Sequence, residues 1–188
     1  MGAVSTAIKG AVWRSQVACL EQLRWKQRVR AELAAPTQAL VDEPPSIVEW
    51  VSIEHPLALC STIERLFGQD EVARFGAAAT VGLLDSSLRP VLQGIFAVFG
   101  ANPHSLFGRS ELIVRAILRG GGASYTRVGE REGDVDYTVD WPEIPAAYWR
   151  MWRGSLTHGF TLCRCSGTIA PPSISDSGRA ARFRLSWE

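Results

Sequence analysis

The chain has 188 residues, enough for a domain with a substantial buried core. Hydrophobic residues make up 46% and charged ones 21%, an ordinary globular mixture that excludes a chain disordered throughout. Twenty Lys and Arg stand against nineteen Asp and Glu, so no global field draws this protein to nucleic acid or an anionic membrane.

Taken in chain order, Ile8, Val12, Cys19, Leu20, Leu23, Val29 and Leu33 recur at helical spacing, which predicts one interrupted helix or two over residues 9–35. Pro36 opens a short helix that Pro44 and Pro45 close. The stretch SIVEWVSIEHP reads as an extended connector. A further helix carries Leu57, Cys60, Ile63, Leu66 and Phe67 and stops at Gly68. The Ala- and Gly-rich EVARFGAAATVGLL predicts a buried helix crossing its neighbours at short distance, with packing reasons for Gly76 and Gly82. It is too short and too interrupted for the roughly 20 apolar residues of a membrane span. Two helices follow, over residues 88–99 and 103–118.

Beyond Gly120-Gly121-Gly122 the period changes to two. Ala123, Tyr125 and Arg127 alternate with Ser124, Thr126 and Val128, and the turn GEREGD leads to VDYTVDW, a hairpin with Val135, Tyr137 and Val139 on one face. Residues 142–154 form a helix that places Tyr148 and Trp152 together and turns the Trp149 ring outward. Strands are predicted again over residues 159–165 and 180–187, joined by the mobile loop SGTIAPPSISDSG. The layout is α+β: a helical N-terminal two thirds packed on a C-terminal antiparallel four-stranded sheet with one inserted helix, in the order β-β-α-β-β. We read residues 1–188 as a single domain, with 1–45 as an N-terminal helical subdomain and 46–188 as the α+β core.

HGFTLCRC, from His158 to Cys165, is the stretch richest in potential ligands. In a strand, Cys163 and Cys165 share one face and His158 takes the other, while Cys19 and Cys60 lie on helices, so the four-ligand set of a structural zinc site is not assembled. The two thiols are expected to be a buried pair, and no metal is expected. GGG leads into a strand and lacks the helix N-terminus that would hold a phosphate. No GxSxG, HExxH or GxGxxG signature is present, so no catalytic residue is assigned. Cysteines without a recognisable secretory leader lead us to expect a cytoplasmic protein.

Three segments, IKGAV near the start, the EW…HPL connector, and ARFRLSWE at the end, resemble a paralogous family of small myxobacterial proteins. More distantly they resemble the ligand-binding superfamily shared by V4R domains, heme-based nitric-oxide sensors and TRAPP vesicle-tethering subunits. That resemblance implies helices beside a four-stranded sheet, and an apolar ligand or a dimer partner on the surface between them. The heme sensors of the superfamily carry a helical His and a Tyr-x-Ser-x-Arg clamp. Here SYTRV places Thr126 and Arg127 directly after Tyr125, at a different spacing, so no cofactor is expected. Family members also place a cysteine before the last strand, where this chain has Ala180 and Ala181.

The expectation is therefore a cytoplasmic, non-enzymatic ligand-sensing or regulatory domain that binds a small apolar molecule between helices and sheet. Phe96, Phe99, Leu112, Tyr125, Tyr148, Trp152 and Phe160 are its candidate ligand-binding residues. The alternative is a homodimerising interaction or adaptor module that docks onto a larger assembly without a ligand. Neither reading involves nucleic acid or a membrane span.

Overall fold

The computed structural model describes residues 6–86 and 89–188, and between 84 and 99 the side chains of residues 90, 93, 94 and 96–98 only. Strand β1 (Ala7–Lys9) runs directly into helix α1 (Gly10–Gln22), followed by α2 (Lys26–Ala31) and α3 (Ala35–Asp42). Pro36 sits in the first turn of α3, where its missing N–H has no helical partner to lose. Part of the expected connector is strand β2 (Trp50–Ser52), and β1 lies between β2 and the two-residue β3 (Leu118–Arg119) in a small antiparallel sheet. Periodicity could not reveal these strands of two or three residues, because a period needs a longer run.

Helix α4 (Glu54–Phe67) buries Leu57, Cys60 and Ile63 and stops at Gly68, whose φ of 98° only glycine adopts without strain. Helix α5 (Gln69–Ser86) buries Val72, Phe75, Gly76, Ala79 and Leu83, an i, i+3, i+4, i+7 stripe. After α6 (Arg89–Phe99), the expected helix over 103–118 is two, α7 (Pro103–Phe107) and α8 (Ser110–Ile117). The Asn102 side chain accepts a hydrogen bond from the Ser105 backbone N–H at 2.9 Å and so caps α7.

The larger sheet contains β4 (Gly121–Arg127), β5 (Glu132–Val139), β6 (Gly167–Ile169), β7 (Ser173–Ile174) and β8 (Ala180–Trp187), with helix α9 (Ala146–Leu162) between β5 and β6. Its order is β4-β5-β8-β6, all antiparallel, and β7 also pairs with β8. The sheet thus has five strands among the described residues, and the loop expected to be mobile supplies β6 and β7. The hairpin and the last strand match the sequence reading. Val135, Tyr137, Val139, Ala181, Phe183 and Leu185 point into the core. On the outer face Asp134 pairs with Arg184, and Asp136 with Arg182 at 2.7 Å, each directly across the ladder.

In HGFTLCRC the first five residues end a helix and Cys163–Cys165 form the turn after it, which corrects the expected strand. Helix α9 continues through His158, Phe160 and Leu162, and Cys163 caps it. Its buried positions include Ala147, Met151 and Gly154, then Leu156, Gly159 and Phe160, two runs at three- and four-residue spacing. The predicted stop at Gly154 is a contact point instead. A Cβ there would fall 1.8 Å from the Ala73 carbonyl oxygen, and one on Gly76 would fall 2.0 Å from that of Met151. Helices α5 and α9 therefore meet backbone to backbone. Trp149 is also corrected: its ring is fully buried and its Nε1–H donates to the Gly178 carbonyl at 3.0 Å.

One apolar cluster runs from Ile8 in β1 to Leu185 in β8 and includes Trp13, Phe75, Tyr148 and Trp149. The Trp13 Nε1–H donates to the Leu40 carbonyl at 2.8 Å, tying α1 to α3.

Candidate functional site

The cavity in this core lies where α1, α5, α7, α8 and α9 converge over β5. Its volume is about 120 Å³. Helix α9 contributes the largest share of the wall, through Tyr148, Met151, Trp152, Ser155 and Leu156. Val12 and Gln16 come from α1, Ala79, Thr80 and Leu83 from α5, Ser110, Ile113 and Ile117 from α8, and Tyr137 from β5. Among the described residues no charged side chain lines it. Its surface is accordingly apolar with neutral hydrogen-bonding groups, the usual make-up of a small-molecule site.

Three of its polar side chains are spent on the backbone. Ser15 Oγ donates to the Ala79 carbonyl, Thr80 Oγ1 to Gly76 at 2.8 Å, and Ser155 Oγ to Met151 at 3.1 Å. Burial pushes the Tyr137 and Tyr148 hydroxyls well above the ordinary phenol range, and the Trp152 indole offsets part of the effect at Tyr148. The Tyr137 ring packs against Trp152 at a tilt of 34° with centroids 4.7 Å apart, so the floor of the cavity is aromatic.

Of the sequence candidates, Tyr148 and Trp152 line the cavity. Phe96 packs against the adjoining Leu106 and Cys163 cluster. Leu112 is 54% exposed on the outer face of α8, which is a correction: the helix buries Ser110, Val114 and Ile117 instead. Phe160 is buried on α9, edge to face with Phe107 at 5.6 Å, and does not line the cavity. Tyr125 is half-buried on β4 at the far end of the sheet, its hydroxyl 2.5 Å from His104 Nδ1. His104 Nε2 lies 2.7 Å from the Glu130 carbonyl, which can only accept. That nitrogen therefore carries the proton and the Tyr125 O–H donates to the other. The Phe99 side chain lies outside the described residues.

The sequence reading missed Gln16 and Ser110. Gln16 stands four residues after Val12 and four before Leu20, and Ser110 four before Val114 and seven before Ile117. A polar residue set in an apolar stripe was the available signal.

The thiols are not gathered. Cys163 is buried at the end of α9, where burial first and the neighbouring Cys165 second push its pKa up to about 12. Cys165 is half-buried, with Sγ 3.7 Å from the Phe160 carbonyl. Among the described residues no three His, Cys, Asp or Glu side chains cluster as a metal set would, and no helix is long and apolar enough to cross a membrane.

Several solved structures share this fold. A single-substitution mutant of the H-NOX protein from K. algicida, in its Fe(II) unliganded form, has a TM-score of 0.69 at 11% identity over 96% of each chain. An oxygen-binding H-NOX domain related to soluble guanylate cyclases, in its oxygen complex, gives 0.63 at 10% identity over 96% of this chain and 95% of that one. A protein from work on heme distortion in the H-NOX family gives 0.62 at 10% identity with the same coverage. No family model and no curated protein matches the chain. The likeness establishes an H-NOX-like α+β fold across nearly the whole chain.

Proposed function

We propose that this chain is a cytoplasmic, non-enzymatic ligand-sensing domain that takes a small uncharged molecule into the cavity between its helices and β5. The observation that carries this reading is the cavity itself: space inside a continuous core, walled by apolar and neutral groups, in a fold shared with sensor proteins. A test is native mass spectrometry of freshly purified protein together with calorimetric titration of toluene. Retained mass or saturable toluene binding supports the reading, and the absence of both sinks it.

Heme, the group connected with the H-NOX neighbours, does not fit. None of the three histidines of the chain lines the cavity, and no cysteine does. Tyr137 and Tyr148 are held as phenols, and an axial oxygen ligand would have to be ionised. Among the described residues the walls offer no cation to the two carboxylates of a heme. The 120 Å³ space falls below the ~300–1,000 Å³ of sites for drug-sized ligands, most of which are smaller than a porphyrin.

A second reading, the homodimerising or adaptor module, draws on Ile47, Val48 and Val81, exposed by 55%, 68% and 40% along a groove beside α1. Light scattering that finds only monomer at high concentration would count against dimerisation.

A further inference from the structure

Three side chains on the cavity wall carry a buried polar atom with no hydrogen-bond partner among the described residues, and one of them is the Trp152 indole Nε1–H on α9, a donor. Gln16 and Ser110 are only 3% and 4% exposed, yet neither Gln16 Oε1 nor Ser110 Oγ has a hydrogen-bond partner among the described residues. Ser15, Thr80 and Ser155, on the same wall, all reach backbone carbonyls. Burying a polar atom without a partner costs stability, so folded proteins rarely retain one without a use. The Gln16, Ser110 and Trp152 atoms all belong to residues that line one cavity, and the first two sit on stripes that are otherwise apolar.

We infer that the cavity recognises a small uncharged molecule carrying at least one O–H or N–H group, as in a phenol or a short alcohol, which the Gln16 carboxamide and the Ser110 hydroxyl hydrogen-bond. This rests on the reading of the cavity as a ligand site and names the chemistry of its guest. Gln16 Oε1 can only accept, so the guest must bring a donor, while Ser110 can donate or accept in return. An ionised guest is disfavoured, because no wall residue among the described ones carries a charge that could compensate its own once it left water. The 120 Å³ space is close to the ~150 Å³ of an engineered apolar cavity in another protein that admits benzene, so one ring or a short chain is the matching size.

The experiment is calorimetric titration of the full chain with phenol and with toluene, which differ little in size but of which only phenol has the hydroxyl. It compares the wild type with Gln16→Leu, Ser110→Ala and the double variant. Leucine keeps most of the glutamine volume, and alanine removes a single atom. The phenol-to-toluene affinity ratio is expected to fall about tenfold or more in the double variant, the worth of a net hydrogen bond, with toluene binding retained. Without ligand, the double variant is expected to unfold at a higher temperature than the wild type. An unchanged ratio, or a lower unfolding temperature, overturns the inference while saturable toluene binding leaves the ligand-site reading standing. If neither probe binds the wild type, both fall.

Discussion

His55 carries a charge only at a cost. Its Nδ1 lies 2.9 Å from Thr37 Oγ1, and burial lowers its pKa below the usual 6.5 despite Glu54, whose carboxylate is 3.6 Å from Nε2. Folding therefore favours the neutral ring. Stability from this source is fully present above pH ~6.5 and is lost as pH falls through the folded-state pKa, because there the unfolded chain binds the extra proton. Urea unfolding at pH 7.5, 6.5 and 5.5 should show the decline, and His55→Gln should flatten it; an equal slope in both proteins refutes the assignment. The sequence placed His55 in a loop because a proline follows it, yet Pro56 suits the first turn of α4. The thiols give a second prediction at this scale. Burial holds Cys19 at about 11, Cys163 at about 12, and Cys60 higher, so all three should resist a disulfide reagent at pH 8 until the chain unfolds. Cys165, more open than the others, should react first.

Helices α5 and α9 show why an element can be visible in a sequence and its limits hidden. The small residues of EVARFGAAATVGLL correctly announced a close crossing, whereas Gly154, one of the two residues that make the crossing, was read as the end of its helix. A glycine in a helical pattern has both meanings, and only the partner surface decides between them. HGFTLCRC failed for a related reason: eight residues with polar and apolar groups interleaved fit a strand, and a longer window running back to Ala146 restores the helical spacing. The contact predicts opposite outcomes for similar substitutions. Gly76→Ala and Gly154→Ala should each lose about 1–3 kcal/mol, since a Cβ would strike a carbonyl of the facing backbone. Gly82→Ala meets only Ser15 Oγ at 3.3 Å and should be neutral or stabilising by up to ~1 kcal/mol through helix propensity. Denaturant midpoints at constant m-value would check all three.

For the molecule as a whole, the order of helices and strands was legible because each long element has its own period, while the small sheet and the cavity were not. A cavity is made by side chains from eight elements meeting, and no local pattern records that. Tyr148 and Trp152 were found because bulk on a buried helix face carries information; Leu112 was misplaced because an apolar residue can also sit in water. The heme argument belongs at this scale too. Hemin added to the purified chain should give no sharp, saturable Soret band at one equivalent, in contrast to the Fe(II) form of the H-NOX neighbour. Stoichiometric incorporation would refute the exclusion.

The contact through Gly76 and Gly154 also decides which side of the chamber can yield. Where bare main chain abuts main chain there is no side chain to rotate, so the α5 and α9 flank acts as a fixed anvil. Helix α8 opposes it with eight residues, half of them facing water, and leads without a break into Leu118 of β3. A guest larger than the resting volume would press on that thinner panel, and the displacement would be delivered to the three-stranded sheet at the beginning of the chain.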